Sequence, residues 1–226
     1  GCLRRGDDLP GFDLGRLLRL EGYVDLFDRA CKGGDLRGCA SYAMAQDMGQ
    51  LIPRDHAAAV ALARRSCEGG EAQGCIVLVE VGGSEVTADE KARAVSRFLP
   101  RCDAHDAVAC RFVGWAHNWA IGVAKDEAAA ASFYQRACDL DDTQACMNLG
   151  ASYWNGEGVT KDLTRAVELF RRVCDDEMAQ GCATLANAYA EGAGVPEDRS
   201  LALALWKKAC AMGHAGACME SNGGSL

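Results

Sequence analysis

Between residues 163 and 174, apolar side chains recur at steps of three and four: Leu163, Ala166, Val167, Phe170 and Val173. That spacing puts them on one stripe of an α-helix. A shorter helix precedes it, from Met147 to Asn155, with Leu149, Tyr153 and Trp154 available for packing. Gly156-Glu-Gly158 stops the first helix, because glycine takes the left-handed conformation that closes a helix C-terminus. Asp162 then caps the second by accepting bonds from its free amides. The residues after Cys174 turn the chain back towards Cys182, so the pattern predicts a helical hairpin.

The rest of the chain falls into copies of this hairpin. Units start at Cys39, Cys75, Cys110, Cys146 and Cys182, and successive starts lie 36 residues apart, once 35. The unit at Cys182 carries Leu185 and Tyr189, then Gly192-Ala-Gly194, Asp198, Ala202, Leu205, Trp206 and Ala209. The unit at Cys110 keeps Gly122, Asp126, Ala130 and Ala137, with Ala120 in place of the first glycine. The unit at Cys39 keeps Gly49, and Ile52-Pro53-Arg54-Asp55 makes its turn. The unit at Cys75 departs most, with a Val-rich first helix and Pro100 near the end of its second, so it is expected to be the least regular. Thr87 and Glu90 can form a capping box there. Leu17 to Ala30 supplies the second helix of an incomplete leading unit, and Cys218 opens an incomplete trailing one. Residues 1–15 read as a flexible lead-in, 16–219 as the repeat array and 220–226 as a flexible tail.

A hairpin of this length cannot bury its apolar face alone and must stack on its neighbours. The expected fold is all-α, an α/α solenoid. Composition agrees: 49% of residues are hydrophobic but only 7% aromatic, which favours closely packed helices over sheet. The formal net charge of -8 argues against nucleic acid as the main partner. No stretch is apolar for long enough to span a membrane. The sequence starts without Met or an apolar signal segment, and is expected to be a mature or trimmed form.

Thirteen cysteines change the picture further. Twelve form six pairs of identical spacing: Cys31/Cys39, Cys67/Cys75, Cys102/Cys110, Cys138/Cys146, Cys174/Cys182 and Cys210/Cys218. Matched pairs read as disulfides and an oxidising compartment. Zinc is the rival reading, but structural zinc favours ligands two to four residues apart. Cys2 is the odd one. After Gly1 it resembles the lipidated cysteine of a bacterial lipoprotein, and its alternative is a free terminal thiol.

The run Leu149-Gly150, Tyr153, Gly156, Gly158-Val159, Asp162, Ala166, Leu169-Phe170, Cys174 resembles the Sel1-like repeat, a relative of the tetratricopeptide repeat. The added cysteine pairs resemble its cysteine-rich secreted bacterial branch, of which the Helicobacter cysteine-rich proteins are a part. The resemblance covers roughly residues 16–218. It implies a right-handed solenoid in which each cysteine pair is a disulfide joining one hairpin to the next. It also implies export from a bacterial cell, to the periplasm, the envelope or beyond, and a scaffold that holds a protein or peptide on its concave surface. Cysteine-rich Sel1-like proteins of the mitochondrial intermembrane space imply an alternative, an assembly factor.

Some family members are named as penicillin-binding proteins or weak β-lactamases, which makes a cell-wall-related hydrolase a second alternative. That chemistry wants a serine with a lysine three residues on. Ser66, Ser96, Ser132 and Ser152 are followed at that offset by Gly69, Leu99, Gln135 and Asn155. His56, His105, His117 and His214 lie in different units and share no metal motif. The chain therefore reads as non-catalytic, with no cofactor. Aromatic and amide side chains of the first helices are the expected partner-binding set: Phe112, Trp115, Trp119 and Trp154, with Asn148, Ser152, Asn155 and Asn187 available to a peptide backbone. The acidic runs 139–142 and 175–177 read as solvated turns.

Overall fold

The structure is a computed structural model that describes residues 22–49 and 52–221. The expectations for residues 1–15, Cys2, Leu17, Leu20 and the tail beyond Ser221 fall outside the described residues. All regular structure among the described residues is helical. The chain divides into two compact units.

Unit one comprises the described residues up to Ala104 together with Trp115–Lys125. Its helices are α1 (Gly22–Lys32), α2 (Leu36–Met48), α3 (His56–Glu68), α4 (Ala72–Val81), α5 (Ala88–Ser96) and α6 (Leu99–Asp103). The irregular region is where the sequence puts it. The second helix of the Cys75 hairpin breaks into α5 and α6, with Pro100 in the first turn of α6, where a missing N–H costs no hydrogen bond. Thr87 and Glu90 form the capping box at the start of α5.

Helix α7 (Ala107–Asn118) begins in unit two, which comprises His105–Gly114 and the described residues from Asp126 onward. The other helices of unit two are α8 (Glu127–Asp139), α9 (Thr143–Asn155), α10 (Leu163–Asp175), α11 (Ala179–Glu191), α12 (Arg199–Ala211) and α13 (Ala215–Ser221). Ala166, Val167 and Phe170 of α10 share a buried cluster with Leu185 and Ala186 of α11 and Ala202 and Trp206 of α12. Small residues let the helices approach closely. A β-carbon on Gly150 would lie 2.5 Å from the Phe170 ring.

The first helices start about one turn earlier than the sequence pattern suggests. Helix α9 begins at Thr143, because Asp142 accepts a hydrogen bond from the Ala145 amide at 2.8 Å. The same device recurs four residues before the second cysteine of a pair. Asp35 accepts from Arg37 and Gly38, and Asp106 accepts from Ala109. The acidic run 139–142 is thus not simply a solvated turn.

Each second cysteine lies in the first turn of a first helix and each first cysteine near the end of a second helix. Disulfides join Cys31 to Cys39, Cys67 to Cys75, Cys138 to Cys146, Cys174 to Cys182 and Cys210 to Cys218, with Cα–Cα distances of 4.3 to 4.7 Å. Cys102 and Cys110 are disulfide-bonded as well. Closing so short a loop restricts the unfolded chain by about 2–3 kcal/mol per bridge on the chain-entropy account. Bridges at every repeat corner are the chemistry of an oxidising compartment outside the cytosol.

Cations of the following hairpin hold several of these corners. In unit one, Arg97 donates to the Cys67 carbonyl at 3.0 Å. In unit two, Lys208 donates to the Cys174 carbonyl at 3.0 Å, and the Arg172 guanidinium lies 3.6 Å from the Cys138 sulfur. Thirty-odd residues separate each pair, so sequence-local reasoning does not find them.

Candidate functional site

The residues with functional potential in unit two come from one face of α9 and α11. Helical spacing aligns Gln144, Asn148, Ala151 and Asn155 on α9. The same offsets, one repeat later, align Gln180, Thr184, Asn187 and Glu191 on α11. These side chains are exposed or half-buried. The opposite sides of the two helices supply the core through Leu149, Leu185, Ala186 and the cysteines. Helix α9 carries no charged residue, and α11 carries only Glu191. Charge is carried instead by the second helices, for example Arg165, Glu168, Arg171 and Arg172 on α10.

Several of the amides are held in one orientation. The Trp206 indole N–H donates to Asn187 Oδ1 at 2.9 Å. Indole nitrogen can only donate, so the Asn187 oxygen points inward and its NH2 outward. At the start of α13 the Ala217 amide donates to His214 Nδ1 at 3.0 Å, which places the imidazole proton on Nε2. That Nε2–H donates to Gln180 Oε1 at 2.9 Å, again leaving the NH2 outward. Asn148 Oδ1 accepts from Gln144 Nε2 at 3.4 Å. Asn148 also hydrogen-bonds the buried Tyr134 hydroxyl, whose pKa burial pushes well above the ordinary tyrosine value.

The structure separates the expected partner-binding residues by exposure. Phe112 is 1% exposed and Ser152 is 7% exposed. Both side chains serve the core, because their helix positions point inward, and neither has surface to offer a partner. Trp154 is half-buried, its ring tilted against Phe170 with centroids 6.0 Å apart. Asn155 is exposed, and its amide donates to Glu157 at 3.3 Å. Gln144, Gln180 and Thr184 join the face without having been singled out from sequence. Their signal was the repeat offset itself, which pairs 144 with 180 and 148 with 184.

In unit one, Trp115 is half-buried at the end of α7, and Trp119 lies just beyond that helix with 59% of its surface exposed. The Trp119 amide still donates to the Trp115 carbonyl at 3.1 Å. His56 Nδ1 lies 2.8 Å from Asp47 and its Nε2 3.6 Å from Glu85. Among the described residues no group of His, Cys, Asp and Glu is arranged to hold a metal ion, and no helix is long and apolar enough to cross a membrane.

The hairpin period, the paired corners and the Gly–Asp turns meet in one comparison: the Sel1 repeat family matches residues 37–71, 107–142, 143–176 and 179–214, more than half of the chain. The chain belongs to the Sel1 repeat family. Its Sel1 repeats resemble solved structures throughout. A Sel1 repeat protein from Oxalobacter formigenes is 24% identical over 87% of each chain, with a TM-score of 0.64. The c5321 protective antigen of uropathogenic Escherichia coli is 18% identical over 88% of this chain and has a TM-score of 0.57. This chain spans half the length of c5321. Helicobacter pylori cysteine-rich protein B is 24% identical over 60% of this chain and 98% of its own, with a TM-score of 0.47. Likenesses at these identities describe the fold. No curated protein matches the chain.

Proposed function

We propose that this Sel1 repeat protein is an exported, non-catalytic scaffold that binds a protein or peptide through its first helices. The observation that carries the reading is the face of α9 and α11, which offers amide hydrogen-bonding groups with almost no charge. Such a face suits the main chain of a partner, whose groups are polar and neutral. Trp119 in unit one supports the same reading, since an exposed tryptophan is an apolar anchor of the kind enriched at binding hot spots. The disulfides support export, and the periplasm, the envelope and the medium are the compartments that fit.

The test pairs two assays on the full chain. Intrinsic tryptophan emission is titrated with a pool of extended peptides, using wild type, Trp119→Ala and Asn148→Ala. Hydrolysis of a chromogenic β-lactam is followed in parallel. The expected outcome is saturable peptide binding that either substitution weakens, with no turnover. Turnover that persists through purification, without peptide binding, overturns the scaffold reading.

A further inference from the structure

We infer that His214 makes the last hairpin corner of unit two a pH-sensitive latch, which holds helix α13 in place while the imidazole is neutral and releases it on mild acidification. The latch works whatever the first helices bind.

Each first helix starts just after the residue that lies four positions before the second cysteine of its pair. At most corners that residue is an acid. Asp35 accepts from Arg37 and Gly38, Glu71 from Gln73, Asp106 from Ala109 and Asp142 from Ala145. At the Cys182 corner it is Met178, which makes no side-chain cap. At the Cys218 corner it is His214, whose Nδ1 accepts from the Ala217 amide at 3.0 Å. A proton acts differently on the two kinds of cap. A carboxyl group keeps an acceptor oxygen whether ionised or protonated, whereas an imidazole protonated on both nitrogens has only donors.

The neutral ring is paired at both nitrogens, since its Nε2–H donates to Gln180 Oε1 at 2.9 Å. A further proton can enter only at Nδ1, where it meets the Ala217 N–H across the same 3.0 Å. The bond becomes a repulsion, and a positive charge then stands at a helix N-terminus, the end that disfavours it. Turning the ring away relieves the clash but gives up the Gln180 bond, which ties the start of α13 to α11. The charged side chains on the surrounding elements are Asp175, Asp176 and Glu177 at the preceding corner, Glu191 at the far end of α11, Arg199, Lys207 and Lys208 on α12, and Glu220 on α13. Among the described residues none of these forms an ion pair with His214. Lys208, in the last turn of α12, is held on the Cys174 carbonyl. No acid is therefore in place to offset the added charge.

Helix α13 is the element that moves. It has seven residues, of which Ala217 is buried, in the cluster that holds Ala209 and Trp206. Met219 is 69% exposed. A helix this short has little stability of its own. Cys218 is bridged to Cys210, so the released helix stays tethered and returns when the ring loses its proton. Imidazole changes charge between about pH 5 and 8. The latch is closed at the upper end of that range and open at the lower.

The test is amide hydrogen exchange of the full chain followed by NMR, expressed as protection relative to the unstructured rate at each pH, from about pH 7.5 down to about pH 5. The informative variant is His214→Asp, which puts at this corner the acid used at Asp35, Asp106 and Asp142. In wild type the protection of the Ala217 and Cys218 amides is expected to fall at least tenfold across the interval, while the Ala145 and Cys146 amides at the Asp142 corner keep theirs. In His214→Asp the fall at α13 is expected to disappear. Unchanged protection of wild-type α13 across the interval overturns the proposal. A fall of equal size in His214→Asp overturns it as well, because another group is then titrating. So does a parallel fall at the Asp142 corner, which would be acid unfolding of the whole unit.

Discussion

Arg111 of α7 donates through Nε to Asp142, the capping residue of α9, at 2.9 Å, and the two side chains are only 2% and 10% exposed. The same carboxylate caps the Ala145 amide. One acidic side chain thereby starts a helix and ties it to the helix of the preceding hairpin. Breaking a buried pair from one side leaves the other charge in a poor solvent, at a cost of about 3–5 kcal/mol. Arg111→Ala is expected to lower the urea midpoint accordingly. Adding Asp142→Asn keeps an oxygen for the cap and removes the stranded charge, so the double variant should be more stable than Arg111→Ala alone. Additive losses would mean that the two side chains do not act as a pair.

Glycine positions in unit two are expected to differ sharply. Gly158 has φ +71°, and a β-carbon there would lie 1.9 Å from the Glu127 carbonyl oxygen. Gly156 has φ +80°, but the nearest atom to its added β-carbon is Lys161 Cβ at 3.2 Å. Gly156→Ala should therefore cost the left-handed penalty, about 1–2 kcal/mol. Gly158→Ala should cost more, since backbone must also move. Thermal melts of the two variants decide it, and equal losses would show that α8 yields freely at Glu127.

Period, helix type and turn chemistry were legible because each is written in neighbouring residues. The stripe Ala166–Val167–Phe170–Val173 is buried as a period of 3.6 demands, and Pro100 sits where α5 gives way to α6. The early starts of the first helices are not legible in the same way, because the capping residues Asp35, Asp106 and Asp142 lie between the two cysteines of a pair, in a stretch that reads as a turn. The binding face was legible in part. Spacing puts Asn148 and Asn155 on the surface, but aromatic character alone could not separate exposed Trp119 from buried Phe112. Orientation of Asn187 and Gln180 depends on Trp206 and His214, which lie on other elements, so no local pattern holds it.

Glu90 gives the clearest pH dependence. Its carboxylate accepts from the Thr87 backbone N–H, from Arg64 and from the Thr87 hydroxyl. These bonds hold its pKa at about 2, against an ordinary value of 4.5. A depressed folded pKa stabilises above the unfolded value, and the contribution is lost as pH falls from about 4.5 to about 2. Glu90→Gln should melt lower than wild type at neutral pH, with the gap closing across that interval. A gap that stays constant from neutral pH to below pH ~2 would show that ionisation of Glu90 contributes nothing.

Ala120 occupies the turn position that glycine holds in the two following repeats, and it does so at φ +56°, beside φ values of +80° for Gly156 and +66° for Gly192. The backbone bonds that close α7 are kept: the Trp119 amide meets the Trp115 carbonyl, and the Ile121 amide meets the Ala116 carbonyl at 2.9 Å. The turn is therefore dictated by the surrounding repeat and not by its own residue. An L-residue in the left-handed region pays about 1–2 kcal/mol. Glycine removes that strain but frees the unfolded chain, at a cost of about 0.4–1 kcal/mol. Ala120 is exposed, so losing its methyl group forfeits little packing. Ala120→Gly should raise stability by roughly 0.5–1 kcal/mol, measured as an increase in the urea midpoint. A decrease would mean that this alanine earns its place through rigidity of the unfolded chain more than it loses through strain.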